Sequence, residues 1–231
     1  MLKRSGRRPS ADRQLRSKLR VGIPRVLNIW STHQFWSGFL AGVGIQPTSI
    51  VYSSETSEEQ NRQFGKGRGT VDCCYPVKCV SGHYGELIFG LSKGIDILLS
   101  PMIYSLPSFL QGHVADTLAC PRVMAAPENI RAGFIKEKDL FAENGIRYLS
   151  PYVSLGEPRL VPKQLYESLK DVLCGLTFEE TQRAVAEGYR ALQAFNQKVR
   201  DKGREILQQC AREDKPCLML LARPYHMDSG L

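Results

Sequence analysis

Short apolar runs, each stopped by proline, glycine or serine, alternate along this chain with segments of helical periodicity. That alternation constrains the fold more than any other feature, because short strands alternating with helices argue a parallel α/β sheet, with the helices on the sheet faces. The first strand is expected at 20–27, with Pro24 ending its ladder. A helix follows with Thr32 as N-cap, Phe35, Trp36, Phe39, Leu40 and Val43 on one face and Gly44 as its stop. A second strand is expected over 45–52, with Pro47 as the point at which it can split. Ser57-Glu58-Glu59-Gln60 has the form of a capping box and opens a short polar helix. Further strands are expected at 95–100, closed by Pro101, at 120–127 and at 146–149, the last preceded by a helix over 137–144.

The second half reads differently. Residues 150–162 hold three prolines and no periodicity, which suggests a linker or wrapping arm, followed by a short helix over 164–173. Thr177-Phe178-Glu179-Glu180 is a second capping box, at the head of a long helix. Phe178, Val185, Leu192, Val199 and Ile206 recur every seven residues, the mark of one buried seam, coiled-coil-like or domain-bridging. Run to Glu213, that helix would be on the order of 50 Å long, with Gly188 and Gly203 as candidate kinks. The run 217–222 then reads as a buried strand, and Leu231 falls one strand into what should be another α/β unit. The chain is therefore expected to be a piece of a longer protein: a basic disordered tail over 1–18, a Rossmann-like α/β domain over 19–150, a linker and short helix over 151–175, a long connecting helix over 176–213, and the first strand of a second α/β unit over 214–231.

Charge narrows the function classes. The net charge is +8, yet the first 20 residues carry eight basic side chains against Asp12 alone. The remainder is close to neutral, which argues against a basic nucleic-acid face on the folded body. The tail suits a solvated linker, with electrostatic contact to RNA, DNA or anionic lipid as the other reading. No apolar run is long enough to span a membrane, and nothing at the N-terminus reads as a secretory signal. Seven cysteines, odd in number and unevenly spaced, point to a reducing cytosol and to thiols available for metal or redox chemistry.

Three of those cysteines lie within Cys73-Cys74-Tyr75-Pro76-Val77-Lys78-Cys79. Proline suits the first turn of a helix, so Cys73 and Cys74 should sit just before a helix N-terminus, where unpaired N–H groups and the helix dipole favour a thiolate. Cys74 abuts that start and is the candidate metal ligand; Lys78, one turn on, and His83 are candidates for binding a cofactor. The alternative is a buried thiol pair, with Cys79 core in either case. The loop Gly65-Lys66-Gly67-Arg68-Gly69 lacks the ending of a phosphate loop and reads as a plain turn. At the other end, Arg223-Pro224-Tyr225-His226 follows an apolar run directly, at a strand end of the kind where open α/β sheets bind ligands. Arg223 suits a phosphate or carboxylate, and Tyr225 and His226 should project outward beside it. A packed strand-end turn is the alternative.

These residues carry a resemblance. From Val21 onward the chain resembles the uncharacterised domain of large CoA-enzyme activases, relatives of the 2-hydroxyacyl-CoA dehydratase and benzoyl-CoA reductase systems. The matching pieces are Val21-Gly22-Ile23-Pro24-Arg25-Val26-Leu27-Asn28, Asp72 through Lys78, Cys120-Pro121 with Pro127-Glu128, Ala132 to Phe141, and Ala222 through His226. Their order is specific where each alone is not. Around the first cysteine the family pattern is similar to Cys-Phe-Pro-Ser-Lys; Tyr75 and Val77 depart from it.

The resemblance implies an anaerobic, cytoplasmic setting and ATP-driven transfer of an electron to a dehydratase or reductase. It implies an iron–sulfur cluster, 4Fe-4S in type, with Cys74 and Cys120 as ligands. As partners it implies the ATPase portion of the activase and an enzyme acting on a CoA thioester, with no specific nucleic acid and no membrane. No phosphate loops match, so ATP hydrolysis is not assigned to this chain, nor is a complete active site. Read as preceding a strand, Cys120 falls on the opposite sheet edge from Cys74 unless 101–119 folds back. The rival reading is a non-catalytic docking module that joins the ATPase portion to its redox partner.

Overall fold

The computed structural model describes residues 11–69, 73–108 and 117–231. Strand β1 (Val21–Ile23) leads to helix α2 (Ile29–Gly42) and strand β2 (Ile50–Tyr52), then to helices α3 (Glu58–Gln60) and α4 (Tyr75–Gly85) and strand β3 (Ile97–Leu99). Strand β4 (Met102–Ser105), helices α5 (Pro121–Ile135) and α6 (Leu140–Glu143), and strands β5 (Arg147–Leu149) and β6 (Tyr152–Ser154) follow. Helices α7 (Val161–Leu169) and α8 (Phe178–Arg212) complete the body, and helix α1 (Ala11–Arg16) precedes it. The main sheet has the order β2-β1-β3-β5, and every pairing in it is parallel. This is the α/β, Rossmann-like sheet that the sequence pattern demands.

Side chains of β1 divide the core in two. Val21 and Ile23 face α2, α7 and α8, in a cluster that holds Phe35, Trp36, Phe39, Leu165, Val185 and Leu192. Gly22 faces the opposite layer, where a Cβ would stand 2.5 Å from a methyl of Ile95. That layer consists of α4, α5 and α6 with Val77, Tyr84, Leu87, Phe134 and Phe141.

Prolines explain why the sheet is split. β3 and β4 are separated by Ser100-Pro101, and β5 and β6 by Ser150-Pro151. Ile97 pairs with Arg147 and Met102 with Tyr152, so the register passes unchanged through both prolines. Each proline lacks the N–H of a ladder, and the two stand at the same level. The region after Pro151, expected as a linker, is therefore a short strand continuing the sheet before α7 begins.

Four other expectations are corrected. The expected tail over 1–18 is ordered from Ala11, where α1 packs Arg16 into the body; residues 1–10 lie outside the described residues. The first helix starts after Asn28, four residues ahead of Thr32. The segment expected as a strand over 120–127 is the start of α5, because Pro121 at its first position favours a helix and Pro127 is carried inside it, its carbonyl accepting from the Tyr148 hydroxyl at 2.9 Å. The run 217–222 forms no strand: Leu218, Met219, Leu220 and Leu221 are 81–91% exposed, because no described strand lies alongside to complete a ladder.

Helix α8 runs unbroken past both of its glycines. Gly188 is a contact point, where a Cβ would lie 2.8 Å from the Phe35 carbonyl oxygen. Val185 and Leu192 are buried, but Val199 and Ile206 are about half exposed. The heptad seam is thus buried only in its middle, at Val185 and Leu192, with Phe178 at its head 41% exposed.

Candidate functional site

Two helices begin at cysteines. Cys74 is the N-cap of α4, with extended backbone angles, and its carbonyl accepts from the N–H groups of Val77 and Lys78. Cys120 is the N-cap of α5, and its carbonyl accepts from Met124. The placement of Cys74 is the one its sequence predicts. That of Cys120 reverses the expectation, for it precedes a helix, and the objection that set it on the opposite edge falls with the strand. The Cys120 thiol is drawn below its usual pKa, first by the Val123 N–H, with Arg122, Arg223 and the Arg122 N–H adding to the effect and burial opposing it.

Both cysteines lie towards the carboxyl ends of the strands. In a sheet of order β2-β1-β3-β5 the chain switches direction between β1 and β3, and ligands of open α/β sheets bind outside that point. Here the crevice is nearly filled. Pro24, Leu27, Ser100, Val80 and Val123 line a cavity of only about 20 Å³, far below ligand size. Any ligand must sit further out, over the starts of α4 and α5.

The segment that reaches this region is a 3-10 turn, Pro224–Met227. Tyr225 is buried against the α4/α5 core cluster, within electrostatic reach of both the Cys120 and Cys74 thiols. It does not project outward as expected, because Pro224 opens a turn instead of closing a strand. Arg223 stays exposed, and its charge acts on Cys120. The exposed His226 turns inward on its own turn, its Nδ1 accepting from the Arg223 N–H at 3.2 Å. Lys78 is exposed on another wall, beside Gly67, Cys73 and Ser81, in an open cavity of about 430 Å³. Asp72, which precedes the cysteines in the matching motif, lies outside the described residues.

His83 is fully buried, and both ring nitrogens are engaged. The hydrogen-bond directions follow from donor counting. Asp228 Oδ2 accepts from Trp30 Nε1 at 3.0 Å and from the Thr56 hydroxyl. Thr56 having given its proton to Asp228, His83 Nε2–H must donate to Thr56 Oγ1, 2.9 Å away. Nδ1 then accepts from the Ser53 hydroxyl at 2.7 Å, and Ser53 Oγ accepts from the Arg25 N–H at 2.7 Å. This chain of bonds ties the loops after β1 and β2 and helix α4 to Asp228, and so fixes the adjoining Pro224–Met227 turn. None of Ser53, Thr56, Trp30 and Asp228 stands out in the sequence: they are common polar and aromatic residues whose partners lie up to 198 positions away.

Burial pushes the His83 imidazole down to about 4, with Asp228 and Glu86 opposing the shift only in part. The unfolded chain takes up this proton near 6.5 and the folded chain only near 4. His83 therefore costs no stability above about pH 6.5, and stability falls as pH drops from there to about 4, by about 3 kcal/mol in all. Urea unfolding at pH 7, 5.5 and 4.5 measures the slope, and His83→Gln should flatten it. An identical slope in the variant would show that other groups carry it.

Over residues 20–231 the chain matches the family described as the CoA enzyme activase uncharacterised domain. It belongs to that family. Comparison with the curated proteins and with the solved structures returned no match. Among the described residues no helix is long and apolar enough to cross a membrane.

The donors at the activase-domain edge can be weighed against a cluster. A cubane takes three or four thiolates. Among the described residues no group of three or more His, Cys, Asp or Glu side chains is placed to hold a metal ion. Cys74 and Cys120 by themselves therefore do not make a complete cluster site.

Proposed function

We propose that this activase-family chain presents Cys74 and Cys120 as part of an iron–sulfur site completed by cysteines of a partner, and serves electron transfer towards a dehydratase or reductase acting on CoA thioesters. The observation that supports this reading is that both cysteines stand at helix N-cap positions and both lie within electrostatic reach of Tyr225. Helix N-termini and nearby arginines stabilise thiolate, the form that ligates iron. Arg223, exposed beside Cys120, would meet an anionic group of the substrate or partner. Tyr225 is buried in the core cluster of α4 and α5, against which Cys120 also packs.

Anaerobic purification with the partner, followed by iron and sulfide assay, tests the proposal. Cys74→Ala and Cys120→Ala are each expected to lose most of the bound iron, and Cys174→Ala to keep it. Equal iron in all three variants would remove the assignment.

One observation favours a second reading, in which the chain is a non-catalytic docking module between the ATPase portion and its redox partner. The run 218–221 and the outer half of α8 expose Leu218, Leu220, Leu221, Val199, Ile206 and Leu207, an apolar surface of the kind that marks interaction sites. If the Cys74 and Cys120 variants keep both iron content and electron delivery while polar substitutions in 218–221 abolish complex formation, this reading replaces the first.

A further inference from the structure

Helix α8 ends in a reversal. Glu213 caps it, with its N–H on the Gln209 carbonyl, and Asp214 takes a left-handed conformation with φ of 51°. The Lys215 N–H then bonds back to the Cys210 carbonyl at 2.9 Å, the six-to-one bond of a Schellman closure. Pro216 fixes the next backbone angle. The reversal turns the chain carrying Cys217 back towards the last turn of the helix, within electrostatic reach of the Cys210 thiol. Cys210 is half-buried and Cys217 exposed. Elsewhere, Cys79 is buried in the core and the Cys174 thiol donates to Asp12.

We propose that Cys210 and Cys217 form a reversible redox pair, a modification site distinct from the Cys74 and Cys120 edge. The oxidant is a low-molecular-weight disulfide. The exposed Cys217 thiol loses its proton and attacks one sulfur of that disulfide; a protein–small-molecule bond forms, the original S–S bond breaks, and one small thiol leaves with the proton. Cys210 then attacks the Cys217 sulfur, the intramolecular S–S bond forms, and the second small thiol leaves with the Cys210 proton. Two protein thiols are oxidised and one disulfide is reduced to two thiols. Bridging requires close Cα atoms and facing Cβ vectors, and the Lys215–Cys210 backbone bond shortens the chain path between the two residues. Cys217 directly precedes the exposed run 218–221, so the bond pins the root of that apolar segment to the tip of α8.

The test equilibrates the full chain in mixtures of reduced and oxidised glutathione, blocks free thiols, and digests with trypsin. Residues 205–212 and 213–231 fall in separate tryptic peptides, since the Lys215-Pro216 and Arg223-Pro224 bonds resist cleavage. The expected result is one linked species of the two peptides, short of their summed mass by two hydrogens. It should form at an oxidised-to-reduced ratio at least about tenfold lower in the folded chain than in urea, because the turn holds the thiols together. Cys210→Ser and Cys217→Ser should each abolish the link and leave a glutathione adduct on the surviving cysteine. A chain whose peptides stay unlinked under oxidised glutathione, or that links no more readily folded than unfolded, would overturn the proposal.

Discussion

Glu180→Ala should destabilise the protein by about 3–5 kcal/mol, the cost of leaving a buried charge without its partner. Arg16 is 1% exposed. Its guanidinium donates to the Val43 and Cys174 carbonyls at 2.7 Å each and to the Glu180 carboxylate at 2.5 Å. Arg13 reaches the same carboxylate from a more exposed position, at 2.8 Å, and adds less because water screens it. For a chain of this size the loss corresponds to a drop of roughly 10 °C in Tm. Replacing both partners with apolar residues, Arg16→Met with Glu180→Leu, should recover much of it, since a buried pair exchanged for packing is often neutral. A chain that starts at Leu19 should also melt several degrees lower, because it strips α1 from α2 and α8. Unfolding curves for Glu180→Ala within about 1 kcal/mol of wild type would show that the pair is not buried in solution.

Gly42→Leu and Gly188→Leu are each expected to cost about 3 kcal/mol, the upper part of the range for overpacking. Helices α2 and α8 cross in close contact. A Cβ on Gly42 would stand 2.7 Å from both Cα and Cβ of Ala184, and one on Gly188 would meet the Phe35 carbonyl at 2.8 Å and its ring at 2.9 Å. Backbone atoms cannot swing aside as a side-chain end can, so the helices must separate. The double variant should cost less than the sum, about 5 kcal/mol, because one separation relieves both clashes. Gly203→Leu is the control, with nothing within 4 Å of its Cβ position. Equal stability of Gly42→Leu and Gly203→Leu would refute the crossing.

Part of the candidate site is legible in the sequence. Cys74 before a helix follows from Pro76 alone, since proline pre-sets the first turn wherever the rest of the chain goes. Cys120 was misplaced for a related reason. Pro121 and Pro127 both look like punctuation, and only the packing of α5, with Tyr148 taking the Pro127 carbonyl, keeps the second inside a helix. His83 carried no local sign of its burial, because an isolated histidine reads the same whether it faces water or a Ser53–Thr56–Asp228 network.

What the sequence by itself determined was the parallel α/β order, the two N-cap residues Ser57 and Thr177, whose side chains accept from the N–H groups of Gln60 and Glu180 although neither reciprocal half of a capping box forms, the long helix and the cysteine at the head of α4. Each of these rests on local rules: periodicity, proline's fixed angle and the short reach of a capping side chain. Tertiary structure alone decided that Arg13 and Arg16 in the basic N-terminal stretch anchor α1, that the α8 seam is buried only at Val185 and Leu192, and that Asp228 fixes the turn that carries Tyr225. The physical reason is range. A buried charge, an exposed stripe and a 198-residue hydrogen bond depend on which surfaces meet, and that is set by the packed layers, not by any residue's neighbours in the chain.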